Sequence, residues 1–377
     1  MTAPMAIARK KFSAIALFPG GHGKPQLRPF PFTAHRDLPM CLLAGEQPSR
    51  ADSSTASADS RRSQHGVAPD AFTHASVMLD EIVELFGDSE GCIVDATLGA
   101  GGHAEALLEA HPAVTVVGLD RDRAAIAAAT KRLARFGDRF RAHHVRFDDI
   151  SSVVEPGTCV GVIFDLGVSS PQLDHANRGF SHRFEGPLDM RMDDTQALTA
   201  ADVVNTYSER ELVSLLRENA DERHAKRIAT AIIAARPLST TPQLADVVAK
   251  AIPAAARRQQ QRHPAMRTFQ AVRIEVNSEL EVLRPALRAA VDALRPAGRI
   301  AVLSYHSGED RIVKQLLRDE SRTSPKGRPD LPPPPDMVTR LRLLWNGSRQ
   351  ATDAELSANP RSASARLRAA ERTEQGL

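Results

Sequence analysis

Acidic side chains recur at the ends of short apolar runs in this sequence, and that placement is suited to binding and chemistry. Asp95 closes the run 92–94, Asp120 closes 114–119, Asp148 and Asp149 follow 140–145, and Asp165 closes 160–164. Carboxylates at the carboxyl ends of successive parallel strands line the crevice where open α/β sheets bind ligands. Between the first two acids lies Gly99-Ala100-Gly101-Gly102-His103, a turn that ends a strand and opens a helix. Glycine lets backbone approach a ligand, and a helix start offers unpaired N–H groups. The spacing is G-x-G-G, not the G-x-G-x-x-G of dinucleotide sites, which argues against a nicotinamide dehydrogenase. Taken alone, the turn also fits tight strand–helix packing. Asp120, about 25 residues after Asp95, stands where an acid accepts both hydroxyls of a ribose; the competing reading pairs it with Arg121 or Arg123. A diol without phosphates suits such acids better than a pyrophosphate, which points to S-adenosylmethionine (SAM) over NAD or ATP. Phe147 and Leu166 are placed to flank an adenine or to serve as plain core.

The elements that must position these acids follow from periodicity. Strand-like runs alternate with Ala/Leu-rich helical stretches at 104–110 and 124–136, the pattern of a parallel sheet covered on both faces. The alternation stops near Ala176 and resumes with the apolar run 299–304. The expected fold class is therefore α/β with an inserted helical domain, and joined to the SAM site read above it is expected to be a Rossmann-like methyltransferase sheet. The boundaries read as a disordered extension over 1–70, a first sheet segment over 71–175, a substrate-binding helical insertion over 176–284, and a second sheet segment with a tail over 285–377. The runs 338–345 and 365–370, beyond a Pro-rich stretch at 332–335, suit a closing antiparallel pair, with helix as the alternative. Residues 20–24 imitate a phosphate loop but have Pro25 after the Lys, so that reading is rejected.

Composition narrows the class. A chain that is 42% hydrophobic and 25% charged is an ordinary globular protein, and a net charge of +3 permits a polyanionic partner without demanding one. Cys41, Cys92 and Cys159 lack CxxC spacing, so neither a disulfide framework nor a zinc knuckle is expected. No metal site is expected either, since His143 and His144 are adjacent on a strand and face opposite sides. No apolar run approaches the roughly 20 residues that span a bilayer. A cytoplasmic protein without membrane partners is expected, with a homodimer left open.

Four further strings carry a family resemblance: His74-Ala75-Ser76-Val77-Met78-Leu79-Asp80-Glu81; Asp165-Leu166-Gly167-Val168-Ser169-Ser170-Pro171-Gln172-Leu173-Asp174; Arg178-Gly179-Phe180-Ser181 with Gly186-Pro187-Leu188-Asp189-Met190-Arg191-Met192-Asp193; and the stretch from His263-Pro264-Ala265-Met266-Arg267 to Glu275-Val276-Asn277. With the glycine turn, and in this order, they resemble the bacterial 16S rRNA cytosine-N4 methyltransferase family (RsmH/MraW type) from His74 to about Arg372. The resemblance implies that Gly101, Gly102 and His103 form the SAM loop, that Asp120 is the ribose acid, and that Phe147, Asp165 and Gln172 make further cofactor contacts. It also implies a cytidine in the decoding region of 16S rRNA, in the small ribosomal subunit, as the substrate. Gly308, His224 and the long N-terminal extension depart from the family pattern and put local packing and partner contacts in doubt.

A cytosine N4 amine is a weak nucleophile because its lone pair is delocalised. Methylation needs an acceptor for an N–H and in-line placement, and positioning of that kind lowers barriers by about 7–11 kcal/mol in favourable systems. Asp165 is the first candidate for the acceptor and His306 the second; a pure cofactor contact is an equal reading for Asp165, and helix capping the stronger one for His306. Methylation at C5 would need a thiolate, and no cysteine lies near the crevice. An everted base has Phe180, Phe184, Arg183 and Arg191 as stacking candidates, with loop anchoring as the plainer alternative for the two aromatics. Arg223, Lys226, Arg227, Arg257, Arg258, Arg262, Arg267 and Arg273 concentrate positive charge that suits phosphates. The alternatives are a methyltransferase for DNA or protein amines and a non-catalytic ribosome assembly factor. Asp165-Leu166-Gly167-Val168 replaces the Pro-Pro-aromatic motif of DNA amino-methyltransferases, which counts against the first.

Overall fold

Strand β4 (Cys159–Asp165) is buried along its whole length save its last residue, and the molecule is organised around it. The computed structural model describes residues 76–169, 172–173, 175–259, 262–324 and 338–374. The extension over 1–70, the 20–24 run, Cys41, His74, Ala75, Ser170, Pro171, Asp174 and the 332–335 stretch lie outside them. Strands β1 (Gly91–Asp95), β2 (Val114–Asp120), β3 (Phe140–His144), β4, β5 (Leu294–Ser304), β6 (Leu341–Leu343) and β7 (Arg366–Arg372) form one sheet in the order β3-β2-β1-β4-β5-β7-β6. The first five are parallel, and β7 runs antiparallel between β5 and β6. The chain moves outward from β1 to β3 and then restarts on the other side with β4. That reversal makes the carboxyl ends of β1 and β4 a topological switch point, where α/β sheets take ligands.

The strands alternate apolar residues between two cores, as a period of two requires. Val94, Val162 and Phe164 face one core, with Leu283, Leu287 and Leu316; Ile93 and Ile163 face the other, with Ile82, Phe86 and Leu107. The covering helices are α1 (Leu79–Phe86), α2 (Gly102–Ala110), α3 (Arg123–Leu133), α10 (Glu279–Ala293) and α11 (Ser307–Glu320). Between β4 and β5 the chain builds α4 (Ala200–Thr206), α5 (Glu209–Ala220), α6 (Ala225–Ala234), α7 (Thr241–Ala251), α8 (Ala254–Gln259) and α9 (Met266–Asn277) before entering α10. Capping boxes of Thr199 with Asp202 and Ser208 with Glu211 fix two of the helix starts.

Residue 284, expected as a boundary, falls inside α10. The helical core ends at Val276, whereas Leu283, Ala286 and Leu287 already belong to the sheet core. The handover is at Ser278, left-handed with φ 51°. Periodicity cannot show it, because α9 and α10 both read as helix. At the other end, the two closing runs form the β6–β7 pair, so the helical alternative for them falls. Among the described residues no helix is long and apolar enough to cross a membrane.

Candidate active site

Three carboxylates, Asp95, Asp120 and Asp165, stand at the ends of β1, β2 and β4, and the local backbone fixes each one. The loop from Ala96 hooks back under the rim: Gly99 N donates to Asp120 Oδ2 at 2.8 Å, and Asp122 N donates to Asp120 Oδ1 at 2.8 Å. Each oxygen keeps a second lone pair. The guanidinium of Arg121 turns away from Asp120, to Asn277 O at 2.9 Å and Gln196 Oε1 at 2.6 Å. Burial pushes the Asp120 carboxyl up from its ordinary pKa, opposed by those two N–H groups. Asp95 is wholly buried, and burial pushes it up to about 6 against the pull of His103.

The glycine turn is shaped by close approach. Gly101 caps α2 at φ 81°, and a Cβ on Gly102 would lie 2.0 Å from Ser76 Oγ. No side chain caps α2, so its first-turn N–H groups keep the positive end of the helix free for an anion. These donors fit the SAM expected from the sequence. The start of α2 would hold its carboxylate, and the spare lone pairs of Asp120 would take the ribose diol.

Asp165 is the more constrained acid. Its backbone N–H donates to Thr97 Oγ1 at 2.6 Å, and Tyr305 O–H donates to its Oδ1 at 2.6 Å. Its Oδ2 lies 3.7 Å from His103 Nδ1, and 27% of its side chain is exposed. Burial pushes the Asp165 carboxyl up, with His103 and the Tyr305 hydroxyl pulling the other way. The His103 ring is buried and its Nε2 donates to Val77 O at 3.0 Å, so it stands behind the rim and turns its other nitrogen toward Asp165.

Other expected residues are brought near and then committed to structure. Gln172 is buried; its amide donates to Asp122 Oδ2 at 3.0 Å and accepts from Ser169 N at 3.0 Å. Asp122 in turn caps α3 and accepts from Arg178 at 2.9 Å, so Gln172 braces the segment after Asp120. Phe147 is half-buried after β3, edge-on to Phe164 at 5.8 Å, and Leu166 lies in the core. His306 caps α11: its Nδ1 accepts from Glu309 N at 3.4 Å and its Nε2 lies 3.1 Å from Glu309 Oε1. That is the capping arrangement weighed for it above, and it leaves the Asp165 side of the rim to Tyr305. Among the described residues no group of three or more His, Cys, Asp or Glu is arranged to hold a metal.

The loop over 178–193 divides in two. Phe180 is buried in the helical core and Arg191 is locked on Asp189 and on backbone oxygens of Asp194 and Gln196, so neither is free to stack. Phe184 is 46% exposed. His182 stacks on His263 at 4.5 Å, and burial with His263 and Arg183 nearby lowers it to about 4. Among the expected phosphate contacts, Arg273 is withdrawn: it is half-buried and forks onto Glu279 at 2.8 and 2.7 Å. Sequence reasoning missed Tyr305, Thr97 and Asp122. Tyr305 had a usable signal, since it directly follows β5, the strand next to β4, and so belongs to the same rim.

The family model described as the MraW methylase family matches residues 71–373. A protein of Thermobifida fusca named ribosomal RNA small subunit methyltransferase H is 52% identical over 321 residues, covering 82% of this chain and 96% of that protein. Proteins of the same name from Salinispora tropica and Mycobacterium bovis are 50% and 45% identical, covering 79% and 82% of this chain and 84% and 82% of their own.

Proposed function

The chain belongs to the MraW methylase family, and from that premise we propose that it methylates the N4 amine of a cytidine in the decoding region of 16S rRNA. It is a SAM-dependent methyltransferase acting on small-subunit rRNA, as the names of its relatives and its family indicate. The observation that carries the finer reading is the Asp165–Tyr305 pair on the rim that holds Asp120 and the uncapped helix α2. When bound, SAM supplies an electrophilic methyl group. The rest is done by this chain. Asp165 has one oxygen fixed by Tyr305 and the other turned toward His103, so the carboxylate cannot swing. Held in that way, it accepts an N–H of the cytosine amine, localises the lone pair, and takes the proton that the methylated amine sheds. Preorganised acceptors act where they cost no reorganisation during reaction. Asp120 supports the ribose, and the residues over 176–277, with Phe184 exposed on their surface, receive the RNA.

Among the described residues, C5 chemistry has no support at the rim. Cys159 is buried at the start of β4 and Cys92 lies near the start of β1, the opposite end of the sheet from the carboxylates. Its substrate would be met in the cytoplasm, where small subunits assemble. The test is transfer from labelled SAM to small subunits isolated from a strain lacking the gene, followed by mass spectrometry of the digested rRNA. N4-methylcytidine is expected; 5-methylcytidine, or a label on protein, would reject the assignment.

A further inference from the structure

The end of β5 leads into a feature that the acidic rim does not use. Between α11 and the start of β7 the surface opens into a cleft of about 580 Å³ whose lining includes Tyr305, Ser307, Arg311, Lys314, Arg366 and Arg368. Two periodicities gather these cations. Arg311 and Lys314 are three apart on α11 and share a helix face; Arg366 and Arg368 are two apart on β7 and share a strand face. Arg368 is committed: it is buried and forks onto Asp310 at 2.8 and 3.1 Å, with a third bond to Gly347 O at 2.7 Å. The other three are exposed and loosely held. Arg311 comes within 3.8 Å of Asp221, both side chains being mostly exposed, and among the described residues Arg366 donates to Ser348 Oγ at 3.5 Å. No ion pair among the described residues involves Lys314. With Asp310 taken by Arg368, the cleft holds a surplus of positive charge that a polyanion would relieve.

Its position says which polyanion. Tyr305 lines the cleft and also donates to Asp165, so one side chain separates the cleft from the carboxylate assigned to the target amine. On the lip, Ser307 Oγ donates to Asp221 Oδ2 at 2.9 Å, which joins the cleft to the α5–α6 turn of the helical segment. We propose that this cleft binds the phosphodiester backbone of the RNA strand that carries the target cytidine, with Arg311, Lys314 and Arg366 each neutralising a phosphate. The proposal rests on the reading of Asp165 for its direction, but its test does not need turnover. An acidic protein segment would meet the same charges without having to pass the reacting carboxylate, and the experiment separates the two.

Full-length protein carrying Lys314→Gln with Arg366→Gln is compared with wild type for binding to protein-free 16S rRNA and to small subunits, across a range of KCl. Both side chains are exposed, so folding is retained, and unchanged SAM affinity verifies it. RNA affinity is expected to fall roughly tenfold at moderate salt. The slope of log affinity against log salt should shrink by about 1.4, at about 0.7 for each single-strand phosphate left without its cation. The charge-keeping variant Lys314→Arg with Arg366→Lys should restore both. An unchanged slope overturns the proposal, as does failure of the charge-keeping variant to rescue. Weakened binding to subunits with unaltered binding to protein-free rRNA would assign the cleft to an acidic protein and overturn it too. A wild-type protein that binds RNA with the expected salt slope but transfers no methyl group would remove the Asp165 reading and leave the cleft standing.

Discussion

Charge is handled in opposite ways at the strand ends and on the helical segment. At the rim every carboxylate is held by backbone or side-chain donors: Asp120 by Gly99 and Asp122, Asp165 by Tyr305 with His103 facing it. On the helical segment and its connecting turns, Arg223, Lys226, Arg227, Arg257, Arg258 and Arg262 are exposed. A reacting group has to be within a fraction of an ångström of its working position, which burial and fixed donors supply. A phosphate contact only has to add attraction, and a solvated arginine on a flexible stem does that at low cost. Each kind of substitution should therefore register differently: rim changes in rate and cofactor affinity, helical changes in RNA affinity and its salt dependence.

The largest effect is expected at Asp165. Asp165→Asn keeps the shape but removes the charge, and single-turnover transfer should slow by about 10²–10⁴-fold, the usual contribution of a positioned acid–base group. RNA affinity should hardly move. A loss of less than tenfold would reduce Asp165 to a cofactor contact and break the contrast at its centre. Asp120→Ala should weaken SAM binding by roughly 10–100-fold in calorimetry, since hydrogen bonds to a charged group are worth about 1.5–3 kcal/mol. Unaltered SAM affinity in that variant would discredit the ribose assignment.

How far the sequence revealed this contrast depends on the residue. The sheet and the carboxylates at its edge were legible because burial on two faces forces apolar runs and the strand ends show as acids. Thr97 was not assigned, because its partner lies 68 residues away and a hydrogen bond across the switch point leaves no periodic trace; Tyr305, 140 residues from its partner, could be placed on the rim by its position after β5 but not paired with Asp165. Gln172 and His103 show the converse. The resemblance placed His103 in the cofactor loop and Gln172 among further cofactor contacts, and it carried no sign of the bonds their side chains make to Val77 O and Asp122. Arg273 could not be told from its exposed neighbours, since only folding shows that Glu279 meets it.

Two phenylalanines four residues apart should respond in opposite ways. Phe180 belongs to the helical core, and Phe180→Ala should destabilise the protein by about 3–5 kcal/mol in denaturant titrations. Phe184 is exposed, and Phe184→Ala should leave stability within about 0.5 kcal/mol of wild type. Its effect should appear as weaker RNA binding, by roughly tenfold if one base stacks on it. Equal destabilisation by both would make Phe184 another anchor of the fold.

The smallest effect is the most diagnostic of how the rim works. In the proposed reaction Asp165 must be ionised to accept the amine N–H, and burial raises its pKa, so transfer should fail on the acid side at a pH above the ordinary carboxylate range. The Tyr305 hydroxyl bonds to the ionised form and pulls that pKa down. Tyr305→Phe removes the bond, so the carboxyl should rise further and the acid limb of the rate profile should move to higher pH. The direction of the displacement is the readout, taken from rate–pH profiles of the two proteins measured side by side. Well above the limb, where the carboxylate is ionised in both proteins, the rates should converge to within severalfold. A limb that stays in place while the plateau falls would mean that Tyr305 acts by packing alone, and the rim would then owe its acid's ionisation to His103.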